Sequence, residues 1–412
     1  MSVDSVYPVQ FSAVFAPPFE FVPNPSASSV GSCPPAYRDR LVIDTIHDGH
    51  AIPEGLLRSP RVEPLARDGR LWSAYVTERD WGSNVVAKHL AKALGLSGYH
   101  RVTTARLVMD FNRFPGSSPP DASSIDRLAI VAPFSQYLNH EEKRYILENH
   151  YDAVSQGMEA AIDGKLIKLS IHTYDAHNPS LTQRPEVSII TRSISYQLNS
   201  RLPFGLFDPL FPDVLVESCA NTILRDRIAL TLEKAGLSVE HNYPYCAPDG
   251  SLEVRSQPWF FFKVVKALFE EKHPHAKGDP AYELVWGMLL NTNLRLGGAE
   301  ALRGYIHRFS DAPAGMENLF EEGRLAYESV ARFVRSTPCL VGDYRKSVTR
   351  TSTLAVEVRK DLVFRFDRGE PVEPLEDNAR ELAEHLAKAI TTYLREDHEE
   401  LSALEEESRT RP

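Results

Sequence analysis

LVIDTIHDGHAIP, residues 41–53, decides how the rest of the chain is read. Leu41, Val42 and Ile43 form a short apolar run that ends at Asp44, the pattern of a buried strand. The loop TIHDGHAIP follows at once and carries two imidazoles, His47 and His50. A strand that hands a polar loop to solvent and is followed by a helix is the unit of an α/β sheet. GSNVVAKHLAKALG (82–95) supplies that helix, with apolar positions at helical spacing and a terminal glycine. RLVMDFNRFPG (106–116) then opens on Leu107, Val108 and Met109, which predicts a strand over 106–110, and breaks into Asp110, Asn112 and Arg113. KLIKLSIHTYD (165–175) and EVSIITR (186–192) are two further strands, with helical segments at 139–161 and 213–236. Strand and helix in alternation predict an α/β fold, a mostly parallel or mixed sheet with helices on its faces.

Outside this alternation the pattern changes. Residues 1–40 are rich in Pro, Ser and Phe and read as an irregular arm. WFFFKVVKALFEEK, AYELVWGMLL and ENLFEEGRLAYESVARFV are helical without a good strand between them, so 251–349 is expected to be a helical insertion. STLAVEVRKDLVF (352–364) is the clearest strand of the C-terminal half, followed by a helix over roughly 374–396 and a charged, solvated tail over 397–412. The α/β domain therefore comprises 41–250 and 350–396.

Bulk composition excludes several classes of function. The chain has 412 residues and a formal net charge of −10, with no long basic run, which argues against a nucleic-acid binder. Cys33, Cys219, Cys246 and Cys339 are scattered without metal-finger spacing and are too few for a disulfide framework, so a reducing cytoplasm is expected. No uninterrupted apolar stretch of about 18 residues exists, and the N-terminus lacks a basic region followed by an apolar one, so neither a membrane span nor a signal peptide is expected.

Ligand sites in open α/β sheets lie beyond the carboxyl ends of strands. Those ends deliver His47, then Asp110 with Asn112 and Arg113, then His172, then Glu357 and Arg359, while Glu78 and Asp80 precede the helix at 82. Two histidines and a carboxylate from separate loops make a catalytic zinc site when a fourth position stays open for water. The competing reading is that each histidine is only hydrogen-bonded or at the surface. In TLAVEVR, Leu354, Val356 and Val358 alternate with Ala355, Glu357 and Arg359, so Glu357 and Arg359 share a face. They are either a structural ion pair or a general base beside a substrate-binding cation. SLEVRSQ (251–257) repeats the Glu-Val-Arg triplet, with little strand around it.

Five motifs in order carry a family resemblance. RLVMDFNRFPG resembles the Arg…Asp-x-Asn-Arg signature of the N-formylglutamate amidohydrolases and, more distantly, of the aspartoacylase and zinc-carboxypeptidase superfamily. IHDGHAIPEGL, ERDWGSNVVAKHLAKAL, HNYPYCAPDG (241–250) and VEVRKDLV (356–363) resemble further motifs of that family, over roughly 41–250 and 350–395.

The resemblance implies a zinc-peptidase-like three-layer α/β/α sandwich and a hydrolase that uses one zinc ion to cleave the amide of an N-acyl, formyl-like amino acid. It implies His47 and His172 as metal ligands, with Glu78 or Asp80 as the third. His50 is an alternative ligand, because it stands three residues after His47, where zinc carboxypeptidases place a glutamate. Arg106 would polarise the scissile carbonyl, and Asn112 and Arg113 would hold a substrate carboxylate. Glu357 would be general base and then proton donor. Arg359 would be a second carboxylate contact or would hold Glu357 in place. The expected partner is a small-molecule or peptide-like amide, with no nucleic acid and no membrane, and homo-oligomerisation is left open. About a hundred residues separate NYPY from Glu357, far beyond common loop lengths, so the helical segment near the active-site edge suggests a larger or different amide. Two other readings share the site: hydrolysis of a peptide or ester in specialised metabolism, and a non-catalytic binding module that keeps the fold.

Overall fold

The computed structural model describes residues 17–25, 31–67, 69–119, 121–123, 126–178, 180–203, 205–291, 293–295 and 297–410. Seven strands form the main sheet: β1 (Phe19–Pro23), β2 (Leu41–Thr45), β3 (Gly98–Val102), β4 (Ile167–Tyr174), β5 (Val187–Ile190), β6 (Val239–His241) and β7 (Ser352–Arg359). Their spatial order is β1-β3-β2-β4-β7-β5-β6. β3, β2, β4 and β7 run parallel, β1 is antiparallel to β3, β5 is antiparallel to β7, and β6 is parallel to β5. The sheet is therefore mixed, and the α/β expectation holds. β8 (Phe364–Asp367) and β9 (Glu370–Pro374) make a separate hairpin. No helix among the described residues is long and apolar enough to cross a membrane.

The alternation within the central strands divides the molecule into layers. In β4, Ile167, Leu169 and Ile171 point to one face and Lys168, Ser170 and His172 to the other, all buried. The apolar face continues across Ile43, Leu354, Val356, Val187 and Ile189 and packs under helices Ser83–Leu94, Thr222–Lys234 and Glu376–Thr392. Each buried Leu, Ile or Val there contributes roughly 1.5–3 kcal/mol relative to exposure. The opposite face is covered by helix Leu252–Lys272, whose Val254, Phe261, Phe262 and Val265 are buried in a second cluster. Two apolar cores on the two sides of one sheet give a three-layer arrangement.

The second face is polar where it meets that helix. Lys168 is wholly buried, 3.1 Å from Asp44 and 2.5 Å from Glu253, and it also contacts Ser170. The segment SLEVRSQ is thus the start of a helix, capped by Ser251, whose Oγ accepts from the Val254 N–H.

The strand expected over 106–110 does not form. β3 is the preceding segment Gly98–Val102, and the chain then turns, with the Val108 and Met109 amides bonding to the Ala105 carbonyl and the Asp110 amide to that of Ala129. Leu107, Val108 and Met109 are buried as expected, but in a turn. A short unbroken apolar run reports burial and not backbone conformation. Of the irregular arm, Phe19–Pro23 is an edge strand, while residues 1–16 and 26–30 lie outside the described residues. At the C-terminus the chain continues through a π-helical turn, Tyr393–His398, into helix Glu399–Thr410.

Candidate metal centre and cavity

Three elements bring His47, Asp80 and His172 together. His47 follows β2 and His172 lies near the end of β4, paired in register with Glu357 of β7. Helix Arg70–Glu78 ends because Arg79 is extended (φ −75°, ψ 138°), and the Asp80 amide then bonds to the His47 carbonyl, which ties the two loops together. The Asp80 Oδ2 atom lies 2.9 Å from His172 Nδ1 and 3.5 Å from His47 Nδ1. All three residues are buried, and one donor atom from each lies within 4.8 Å of the others.

On the far side of its ring, His47 donates from Nε2 to Asp110 Oδ1 at 2.8 Å. An ionised carboxylate only accepts, so this bond leaves the Nδ1 lone pair of His47 facing Asp80. A carboxylate behind a histidine in this way orients the ring and raises its basicity as a ligand. Among the described residues, the other ring nitrogen of His172, Nε2, is buried without a partner that would fix its tautomer from behind.

Burial would raise the pKa of both aspartates, but their partners outweigh it. The His172 and His47 rings hold Asp80 below the usual carboxylate range, and Arg106, His47 and Arg113 hold Asp110 well below it. Glu357 behaves oppositely. Burial, helped by the Asp80 charge, pushes its carboxyl up against the opposing imidazoles and the Tyr245 hydrogen bond. Burial lowers His172, yet the Asp80 hydrogen bond and the Glu357 charge bring it up to about 9. The cluster thus holds a proton in the absence of another cation. Carboxylates of different proton affinity set side by side are the mark of an acid–base site.

The donor set could hold a divalent metal ion. Zinc takes N and O ligands at about 2.0–2.2 Å, which puts tetrahedral donors about 3.3 Å apart; the two nitrogen-to-oxygen distances, 2.9 and 3.5 Å, lie on either side of that value, and the three donor atoms all fall within 4.8 Å of one another. A cation there would take the place of the proton that the carboxylates draw to His172.

A cavity of about 300 Å³ opens beside the cluster. His47, Asp80, Arg106, Asn112, Arg113 and Glu357 line it, and His172 stands immediately behind Asp80. Arg106 reaches Asp80 at 3.5 Å and Asp110 at 3.4 Å. Asp110 also accepts the backbone amide of Asn112 at 2.9 Å; separately, among the described residues the buried Asn112 Oδ1 and Arg113 Nε atoms have no hydrogen-bond partner, the latter lying 3.8 Å from Asp110.

Gene product Atu2144 from Agrobacterium tumefaciens and the N-formylglutamate amidohydrolase from Ralstonia eutropha JMP134 have structures similar to this one. The first has a TM-score of 0.46 and 14% identity, over 96% of this chain and 99% of that one. The second has a TM-score of 0.46 and 12% identity, over 91% of this chain and 98% of that one. No family model and no curated protein matches the sequence.

The remaining candidates lie elsewhere. Glu78 pairs with Arg106 at 3.6 Å and offers no donor to the cluster. His50 lies against Arg101, with His50 Nδ1 3.3 Å from the guanidinium. Arg359 is held by a two-pronged contact with Asp361 at 3.0 Å and does not line the cavity.

Several cavity residues were not singled out from the sequence. Tyr245 hydrogen-bonds Glu357, and burial with that carboxylate's charge pushes its hydroxyl well above the ordinary tyrosine range. It sits in the NYPY segment, whose sequence does not reveal which of its residues meets Glu357. Tyr174, Arg184 and Lys360 form the wall beyond Glu357. Glu253 also reaches the cavity, and its carboxyl is drawn down to about 2, because Lys168, His172 and Ser170 outweigh the effect of burial.

Proposed function

We propose that the chain is a zinc-dependent amidohydrolase that cleaves the amide of an N-acyl amino acid. The observation that supports this most is the convergence of His47 Nδ1 and His172 Nδ1 on one buried oxygen of Asp80, at the wall of a cavity that also holds Glu357. Zinc, when bound, supplies a Lewis acid that acidifies water and polarises a carbonyl. His47, Asp80 and His172 are the proposed ligands, with Asp110 orienting His47.

Glu357 takes the proton of the attacking water on its carboxylate and passes it to the leaving nitrogen. Burial raises its pKa, which suits a group that must hold a proton between the two steps. Arg106, beside Asp80 on the cavity wall, donates to the carbonyl oxygen as negative charge develops there. Asn112 and Arg113 hold the amino acid's carboxylate, because the unpartnered Arg113 Nε and the planar guanidinium suit an acceptor. That contact fixes the scissile bond against Glu357.

The test is hydrolysis of a panel of N-formyl, N-acetyl and peptidyl amino acids by purified protein, before and after chelation and in His172→Ala. Turnover that chelation removes and zinc restores is expected. Turnover unaffected by chelation and by His172→Ala would end the metal reading. A protein that retains zinc and turns over no member of the panel would point to the binding module.

A further inference from the structure

The cavity carries a guanidinium with spare hydrogen-bonding capacity on each side of the proposed metal ligands. Arg113, after β3, is one. The other is Arg184, on the segment that leads from β4 into β5. The strand order β3-β2-β4-β7-β5 sets them on opposite flanks, with His47 just after β2, His172 on β4 and Glu357 on β7 between them.

Arg184 is built into its place. His177 and Gln183 form a bridge just before Arg184, and the Arg184 amide bonds to the Ala176 carbonyl at 2.8 Å. The guanidinium lies over the Tyr174 ring at 5.3 Å, and the Tyr174 hydroxyl is anchored on the Pro185 carbonyl at 2.8 Å. A planar cation on an aromatic platform is pre-organised for a planar anion.

Its charge is also left uncompensated. Among the described residues, Nη1 reaches only the Asp175 carbonyl, at 3.3 Å, the buried Nε has no partner, and no carboxylate pairs with the guanidinium. The neighbouring Lys360 differs, since its ammonium is taken by the Asp175 carboxylate at 3.0 Å and the Thr77 carbonyl at 3.3 Å. Arg184 is therefore the cation on this wall with a site to offer.

We propose that the substrate bears a carboxylate on both sides of the scissile amide, so that its acyl group itself ends in an anion received by Arg184. This rests on the hydrolase reading above and goes beyond a formyl-like acyl group, which has nothing to present to Arg184. The substrate class is an amino acid N-acylated by a short dicarboxylic acid. Water adds across the C–N bond, releasing the dicarboxylate and the free amino acid. A cavity of about 300 Å³ suits such a compact dianion.

The test is calorimetric binding of two unreactive secondary amines to the purified full-length protein. N-(3-carboxypropyl)alanine and N-butylalanine both replace the scissile carbonyl by methylene, and only the first keeps the distal carboxylate. A charge-assisted hydrogen bond corresponds to roughly 10–100-fold in affinity, so the carboxypropyl compound is expected to bind tighter by that factor. Arg184→Ala is expected to remove the preference and Arg184→Lys to keep part of it. The butyl compound serves as the control for folding and should bind within about twofold in all three proteins. Equal binding of the two compounds, a preference that survives Arg184→Ala, or binding of neither overturns the inference. Failure of the hydrolase reading shows separately, as lack of metal-dependent turnover on N-formyl, N-acetyl and N-succinyl amino acids alike.

Discussion

Replacing Lys168 by methionine probes the polar layer beneath the proposed metal ligands. Lys168 is wholly buried, with Asp44 at 3.1 Å and Glu253 at 2.5 Å. At an effective dielectric of about 20, the longer contact alone corresponds to about 5 kcal/mol of gross attraction, most of which offsets desolvation. The loss on removing one partner is larger than the net worth of the pair, because two carboxylates stay buried without their cation. Such a loss costs about 3–5 kcal/mol.

The Glu253 carboxyl gives a second route to the magnitude. Folding draws it from 4.5 to about 2, chiefly through Lys168 working against burial. At about 1.4 kcal/mol per pH unit this is on the order of 3 kcal/mol, in line with the first figure. A depressed carboxyl pKa contributes stability that is present above the unfolded value and lost as pH falls through the folded one. The gap between wild type and Lys168→Met is therefore expected to be full above about pH 5 and to close towards pH 2. Urea unfolding of both proteins at pH 7, with thermal melting across pH 3–7, measures it. A gap under about 1 kcal/mol at pH 7, or one that does not shrink with acid, would refute the idea that Lys168 neutralises these acids.

Three further outcomes are expected. Asp110→Asn should weaken zinc binding about 10–100-fold in a chelator competition, because the acceptor 2.8 Å from His47 loses its negative charge; unchanged affinity would remove Asp110 from the site. Glu357→Gln should lower kcat by about 10²–10⁴-fold with zinc still bound, so near wild-type turnover would exclude it as the proton carrier. Tyr245→Phe removes a hydrogen bond that lowers the Glu357 pKa, so the acidic limb of the kcat/KM profile should move to higher pH; a shift to lower pH would contradict the assigned contact.

Much of the site was legible because strand periodicity is local. Ile167, Leu169 and Ile171 against Lys168, Ser170 and His172 reveal one apolar and one polar face through their alternation alone. The same alternation in β7 puts Glu357 in register beside His172. The choice between Glu78 and Asp80 was not legible, because it turns on the extended backbone of Arg79 after the helix ends. Arg359 shares the period of Glu357 but lies one pleat further on, where Asp361 captures it. Glu253 stood in a segment that resembles part of β7 and opens a helix, and its partner Lys168 is 85 residues away. Only tertiary packing brings such a pair together. Residues 107–109 show the same limit from the other side: the run fixed their burial, while the hydrogen bonds of Ala105 and Ala129 made the turn.

The most direct measurement is the metal content of the purified protein together with the position of the ion by anomalous scattering at the zinc edge. Expected is one zinc per chain, coordinated by His47 Nδ1, Asp80 and His172 Nδ1 and absent from His172→Ala. A protein that binds no divalent ion, or holds it at Glu78 or His50 away from Asp80, would contradict the proposed centre.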